Sequence, residues 1–426
     1  MAQLSDDCFA FGGDLMTTEA ALAELNKRIS PVADTERVAL SEALDRILAE
    51  DLKSARDVPP HDNSAVDGYA IYFDDLDAES PSVLPVRGRA AAGHPLKGRA
   101  KRGAAIRIFT GAPMPDGENG GPDTVMMQED CKTLDGPDGK PLIEIALGIA
   151  RGANRRTAGE DVKSGSVILK AGRRLRPQDL GLAASVGCTE LAVQAPLKVA
   201  IFSTGDEIRD PGQDAPPGCV YDANRVTIAG LLKQLGCAVT DLGIQPDELG
   251  AITKTLSDAA MEHALIVTSG GMSVGEEDHV RDAVEKLGSI HFWRLAIKPG
   301  RPIALGQVKR VPFVGLPGNP VAVMVTFLRF VRPMVLLLSG CTEIEPRLYS
   351  VRAGFSHRKK KDRREWVRAR LLTGPDGAPV AEKFSRQGAG ILSSMVAADG
   401  LVELPEAMTQ LDAGTMVDFL PFNEVR

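Results

Sequence analysis

Between residues 196 and 340 short apolar runs alternate with amphipathic helical patterns, and this rhythm is the strongest constraint on how the 426-residue chain can fold. A run at 197–202 precedes a helical pattern with Ile228, Leu231, Leu232 and Leu235 on one face and Gly236 just past its end. A run at 237–244 leads to a helix carrying Leu249, Ile252 and Leu256. A run at 264–268 then leads through a glycine-rich turn to a helix with Val280, Val284 and Leu287, and Ile290 to Ile297 forms another strand. Parallel strands need crossover connections, so the repetition predicts a doubly wound, mostly parallel sheet with helices on both faces.

Two of these strands end in similar chemistry. Thr268-Ser-Gly-Gly-Met-Ser-Val-Gly-Glu-Glu-Asp278 holds Gly270, Gly271 and Gly275, which let consecutive backbone N–H groups approach a phosphate or oxyanion, and a helix start beyond them adds its positive dipole end. Glu276, Glu277 and Asp278 would repel a phosphate unless a divalent cation lies between. For this segment alone, a tight turn whose acids cap the helix is an equal alternative. Ser203-Thr-Gly-Asp-Glu207 repeats the pattern after another strand, and ligands of open α/β sheets collect at such carboxyl ends. The pair of turns favours an anionic ligand held with a hard metal.

Composition narrows the class. With 43% hydrophobic and 25% charged residues the chain has the makeup of an ordinary soluble protein, long enough for two to four domains. A net charge of −7 argues against general nucleic-acid binding. Six scattered cysteines without C-x-x-C, and six histidines without H-E-x-x-H, disfavour a disulfide framework or structural zinc. The N-terminus lacks the order of a signal peptide, and the apolar run 320–339 contains Arg329, Arg332 and Pro333, so a buried core helix is expected rather than a membrane span. A cytoplasmic location follows as the expectation.

Around the α/β segment the texture differs. Residues 17–56 are read as helical from the stripe Leu40, Leu44, Ile47 and Leu48; residues 57–149, rich in Gly and Pro with β-prone runs at 104–109, 124–127 and 142–145, as an inserted small β domain. A helix over 176–187, with Pro177 in its first turn and Gly187 past its end, makes 17–56 and 150–195 two parts of one helical linking domain. Residues 345–426 are read as a C-terminal β-barrel.

Further motifs carry charge or rigidity. Ala296-Ile-Lys-Pro-Gly-Arg-Pro302 puts Lys298 and Arg301 on a proline-stiffened loop that loses little entropy on binding an anion. Gly315-Leu-Pro-Gly-Asn-Pro320 is either a strand-to-helix connector or a ligand-lining turn, and Asp62-Asn-Ser-Ala-Val-Asp-Gly-Tyr69 either a set of Asx turns or a functional polar run. The basic stretch 358–364 is expected to be a solvated hairpin edge, with Arg368 on the following strand the better anion ligand.

Those motifs, together with Ile108-Phe-Thr-Gly-Ala-Pro113, Gly159-Glu-Asp161 and Tyr221-Asp-Ala-Asn-Arg225, resemble the molybdopterin molybdenumtransferase family, the bacterial counterpart of the gephyrin E domain, in order from about residue 17 to 426. The pattern departs at Thr157 and Ala158, where arginines are common, and at Arg301, where lysine also occurs.

The resemblance implies an elongated homodimer of four-domain subunits in which 196–340 binds molybdopterin. It implies insertion of molybdenum from molybdate into adenylylated molybdopterin, with Mg²⁺-assisted release of AMP. By motif, the functional positions fall on Asp67, Thr110, Glu207, Asp247, Asp278, Lys298 and Arg301, with Pro317, Pro320, Arg368 and Ser393 at the substrates. Glu207, Asp247 and Asp278 would hold the metal; Ser269, Gly270, Gly271, Ser273 and Gly275 the AMP phosphate; Lys298, Arg301 and Arg368 molybdate. Asp67 and Thr110 are expected to reach the site across the dimer interface. Transient contacts with the molybdopterin adenylyltransferase and with molybdoenzyme maturation factors are implied as well. Alternatives are an adenylyltransferase-like enzyme, which accounts only for 196–340; a gephyrin-like non-catalytic scaffold, which leaves the four carboxylates unexplained; and a paralogue acting on another pterin nucleotide or metal.

Overall fold

The computed structural model describes residues 16–137, 139–270, 279–300 and 302–425. They form two compact units, one joining the chain up to residue 50 with 171–175 and 191 onward, the other joining 51–170 and 176–190.

A six-stranded sheet dominates the first unit. Its order is Ala238–Gln245, Lys198–Thr204, Leu265–Ser269, Val311–Leu316, Pro302–Val308 and Gly288–Arg294. The first four strands are parallel, and Pro302–Val308 runs antiparallel to both of its neighbours, so the sheet is mostly parallel as expected. Alternation along the strands feeds two cores. Val199, Ile201, Leu265 and Val267 pack with Ile228, Leu232 and the helix Pro320–Leu338 on one face, while Ala200, Phe202 and Ile266 pack with Ile252, Leu256, Val280 and Val284 on the other. From Lys198–Thr204 the chain crosses to one side, forms Ala238–Gln245, then returns to place Leu265–Ser269 on the other side. That reversal opens a crevice outside the carboxyl ends of Lys198–Thr204 and Leu265–Ser269.

The helix Pro320–Leu338 is long and apolar enough to cross a membrane, yet 89% of its most apolar window is buried inside the protein. A π turn at Phe327–Val331 lies where Pro333 can offer no N–H to the carbonyl of Arg329. Arg329 meets Glu403 at 3.4 Å and Arg332 donates to the Ile344 carbonyl at 2.8 Å, so both buried cations find partners from outside the helix, although the Nε of each makes no hydrogen bond among the described residues. Beyond it, Arg364–Thr373, Pro379–Lys383, Tyr349–Ala353, Met416–Pro421 and Gly400–Leu404 close into a five-stranded barrel, because the last strand pairs back with the first. Val351, Val367, Ala381, Val402 and Phe419 fill it.

Two expectations need correction. The stripe in 17–56 is not one helix: after the helix Thr18–Arg28 come a strand, Thr35–Ala39, and a single 3₁₀ turn, Leu40–Glu42. Pro31 opposes helix continuation, and Asp45 at φ 62° separates exposed Leu44 from Ile47 and Leu48, which are buried through bridges to Arg174 and Val193. Nor is 358–364 simply solvated. Arg364 is ion-paired with Glu403 at 2.9 Å, Glu406 at 3.0 Å and Glu19, and Lys359 Nζ donates to the Arg363 carbonyl at 2.6 Å.

The second unit centres on a sheet ordered Thr124–Met127, Gly68–Ile71, Ala105–Ile108, Ser82–Ala90, Pro141–Ile145 and Cys131–Asp135, which matches the three predicted β runs. Its helix Pro177–Ser185 starts on Pro177 as expected, and Gly187 takes φ 88° just past the end.

Candidate functional site

At the end of Lys198–Thr204 the backbone turns through Gly205 at φ 141°. A Cβ there would lie 2.7 Å from Glu207 Oε2, so the missing side chain is what lets this carboxylate fold back over the turn. The Glu207 carbonyl accepts from Val220 N at 2.8 Å, part of a short parallel pairing of Ile208–Arg209 with Val220–Tyr221. Asp247, just beyond Ala238–Gln245, sits 3.4 Å from Thr204 Oγ1. Both Glu207 and Asp247 are exposed at the same sheet edge.

Ser269 and Gly270 close the neighbouring strand. Gly270 takes φ 88°, with a would-be Cβ only 3.0 Å from the Thr204 carbonyl, so the two strand ends pass at close quarters. Asn224, at the start of the helix Ala223–Gln234, donates from Nδ2 to Ser269 Oγ at 2.9 Å and to the Gly318 carbonyl at 2.7 Å. Ser269 Oγ lies 3.3 Å from the Pro317 carbonyl. One amide thus joins the strand-end serine to the 317–320 turn, and Pro320 opens the long helix at its first position. The hydroxyls of Ser203 and Thr268, both buried, have no hydrogen-bond partner among the described residues.

The cationic loop is anchored elsewhere. Ile297–Lys298 pairs in parallel with Arg364 and Glu365, and the Lys298 ammonium rests on the Glu365 carboxylate. Gly300, at φ 94°, packs so close to the long helix that a Cβ would lie 2.5 Å from Thr326 Cγ2. Arg368 is 1% exposed. Its Nε donates to Ser394 Oγ at 3.0 Å and its Nη2 to the Gly388 carbonyl at 3.0 Å, and burial draws its guanidinium pKa down. Arg368 therefore holds 386–394 from inside, and that segment reaches the long helix through Val321 N donating to the Ala389 carbonyl at 3.0 Å. Ser393 is exposed; its neighbour Ser394 makes the contact.

Asp67 and Thr110 meet within the other unit. Asp67 Oδ1 accepts from Thr110 N at 2.8 Å and from Thr110 Oγ1 at 2.7 Å, and these bonds, the backbone one foremost, hold the carboxyl below its usual range. In the same unit Asp62 pairs with Arg155 at 2.8 Å and accepts from Ala158 N at 2.8 Å.

Within the first unit the structure thus gathers Glu207, Asp247, Ser269 and Gly270 at the crevice and Lys298, Pro317, Pro320, Arg368 and Ser393 around the start of the long helix; within the second it joins Asp67 to Thr110. Gly271, Ser273, Gly275, Asp278 and Arg301 lie outside the described residues. Among the described residues no three His, Cys, Asp or Glu side chains form a metal cluster, and the two expected ligands within them, Glu207 and Asp247, offer the hard oxygen donors that suit Mg²⁺. Sequence reasoning missed Asn224, Glu365 and Ser394. The signal available was a polar residue beside the N-cap Asp222, and an acid between apolar strand positions at Glu365.

Known proteins agree with this architecture. Family models described as the MoeA N-terminal region (domain I and II), a probable molybdopterin binding domain and the MoeA C-terminal region (domain IV) match residues 16–187, 200–336 and 350–422. The molybdopterin molybdenumtransferase of Haemophilus influenzae is 36% identical over 96% of this chain and 100% of its own length. That of a Nostoc species is 33% identical over 93% and 91%. A crystal structure of the molybdopterin biosynthesis moeA protein from Pyrococcus horikoshii superposes with a TM-score of 0.81 at 29% identity, covering 96% of this chain and 100% of that one. The chain belongs to the molybdopterin molybdenumtransferase family.

Proposed function

We propose that this chain, a transferase of molybdenum cofactor biosynthesis by its family, inserts molybdenum from molybdate into adenylylated molybdopterin and releases AMP with the help of Mg²⁺. The observation that supports this best is the crevice edge itself: two exposed carboxylates, Glu207 and Asp247, beside a strand end whose Ser269 is locked to the 317–320 turn by Asn224. Ser269 and the Gly270 backbone are suited to bind and orient the phosphate of the nucleotide. Glu207 and Asp247, with Asp278, would hold Mg²⁺, which when bound supplies charge neutralisation at the phosphoanhydride. Lys298, with Arg301, is suited to a small tetrahedral oxyanion, since Glu365 fixes the ammonium while leaving its side chain 44% exposed.

A homodimer is part of the proposal; light scattering should give about twice 45.3 kDa. The activity is tested by incubating pure protein with adenylylated molybdopterin, Mg²⁺ and molybdate. AMP and active cofactor should form together. An enzyme that instead consumed ATP and released pyrophosphate would be an adenylyltransferase, and the proposal would fall.

A further inference from the structure

Arg225 stands in the first turn of the helix Ala223–Gln234, where the positive end of the helix dipole disfavours a cation, and it is 7% exposed. Burial draws its pKa down, but hydrogen bonds and charge from Asp241 and Asp222 outweigh this and hold it above the ordinary arginine value. Its Nε lies 3.0 Å from Asp222 Oδ2, its Nη1 2.6 Å from both Asp241 oxygens, and its Nη2 contacts Asp210. Asp222 already caps the helix by accepting from Arg225 N at 3.0 Å. One carboxylate would neutralise the cation, so the other two need a separate reason. They come from two different segments: Asp210 lies three residues after Glu207, and Asp241 lies on the strand that leads to Asp247.

We propose that Arg225 is a positioning residue, tying the Glu207 turn and the Asp247 strand to one helix terminus so that the two carboxylates keep a fixed relation for a divalent cation. A guanidinium can do this because its five donors form a rigid fork, whereas an ammonium is a single point. The backbone reinforces it, since Val220 N donates to the Glu207 carbonyl at 2.8 Å and Asp222 N to the Arg209 carbonyl at 2.9 Å. The neighbouring Asn224 binds Ser269 and Gly318, so this helix start gathers both turns of the crevice.

The inference rests on the proposed metal role of Glu207 and Asp247, and its test separates the two. Asp210→Asn, which removes only the partly exposed tether, and Arg225→Lys are compared with the parent by amide hydrogen exchange without metal and by calorimetric titration with Mn²⁺ alone. Both variants should speed exchange over residues 205–213 at least tenfold while sparing 265–269, and weaken Mn²⁺ binding at least fivefold, with affinity for adenylylated molybdopterin without metal changed less than twofold. Unchanged exchange over 205–213, or Mn²⁺ affinity within twofold of the parent, overturns the inference. Should Arg225→Lys fail to fold, Asp210→Asn decides alone. Glu207→Gln is titrated in parallel: if it leaves Mn²⁺ binding intact, the metal role of Glu207 is wrong, while the exchange data still show whether Arg225 sets the turn.

Discussion

Lys298 and Glu365 face each other across a two-residue parallel pairing, a half-exposed ammonium resting on a carboxylate that is 4% exposed. Lys298→Ala therefore does two things at once. On the proposed reading it removes a charge-assisted hydrogen bond to molybdate, worth roughly 1.5–3 kcal/mol, and should raise the molybdate requirement about ten- to a hundredfold. It also strips Glu365 of a partner, leaving His357 at 3.5 Å and Arg363 at 3.9 Å. The stability loss should fall below the roughly 3–5 kcal/mol of a fully buried pair, because Lys298 is solvated. Adding Glu365→Gln should recover melting temperature without recovering molybdate affinity. Recovery of both would make the loop structural.

Gly205→Ala tests the turn. At φ 141° a side chain is strained by about 1–3 kcal/mol, and its Cβ would displace the Glu207 carboxylate. The Mg²⁺ concentration for half-maximal rate should rise several-fold, while molybdate dependence stays within twofold.

Asn224→Ala removes two hydrogen bonds, at about 0.5–1.5 kcal/mol each, and leaves Ser269 tied to the 317–320 turn only by its own 3.3 Å contact with the Pro317 carbonyl. Calorimetry should show weaker binding of adenylylated molybdopterin with molybdate affinity little changed. Asn224→Asp should be worse, since a carboxylate cannot donate and would face the Gly318 carbonyl.

Thr110→Val removes one of two bonds to Asp67 and spares the backbone N–H that depresses its pKa most. The Asp67 pKa, read by carbon NMR, should rise toward the ordinary value of about 3.9 without reaching it. Because the folded pKa is the lower one, what these bonds contribute is present above the unfolded pKa and is lost as pH falls through the folded value. The variant should lose it at a higher pH than the parent.

The strands and helices of the α/β region were legible because buried strands are short apolar runs and their helices keep a 3.6-residue stripe. Strand direction was legible only where a helical crossover joined two strands; Gly288–Arg294 and Pro302–Val308 are joined without one, and a strand buried on both faces reads alike in either sense. The stripe from Leu40 to Leu48 misled because four residues can match a helical period while one positive φ, at Asp45, breaks it. Arg368, on a strand among apolar residues, read as an anion ligand. Its strand position turns it inward, where it binds Ser394 and the Gly388 carbonyl. Pairings such as Lys298 with Glu365 join residues too far apart in the chain for local pattern to reveal.

The central claim, that AMP release belongs to metal insertion, is tested most directly by single-turnover measurement of AMP and active cofactor from adenylylated molybdopterin, with and without molybdate, at saturating Mg²⁺. The account predicts one AMP per cofactor activated and a burst that requires molybdate, lost in Glu207→Gln and Asp247→Asn variants that still fold. AMP released at the same rate without molybdate, with no cofactor formed, would contradict it.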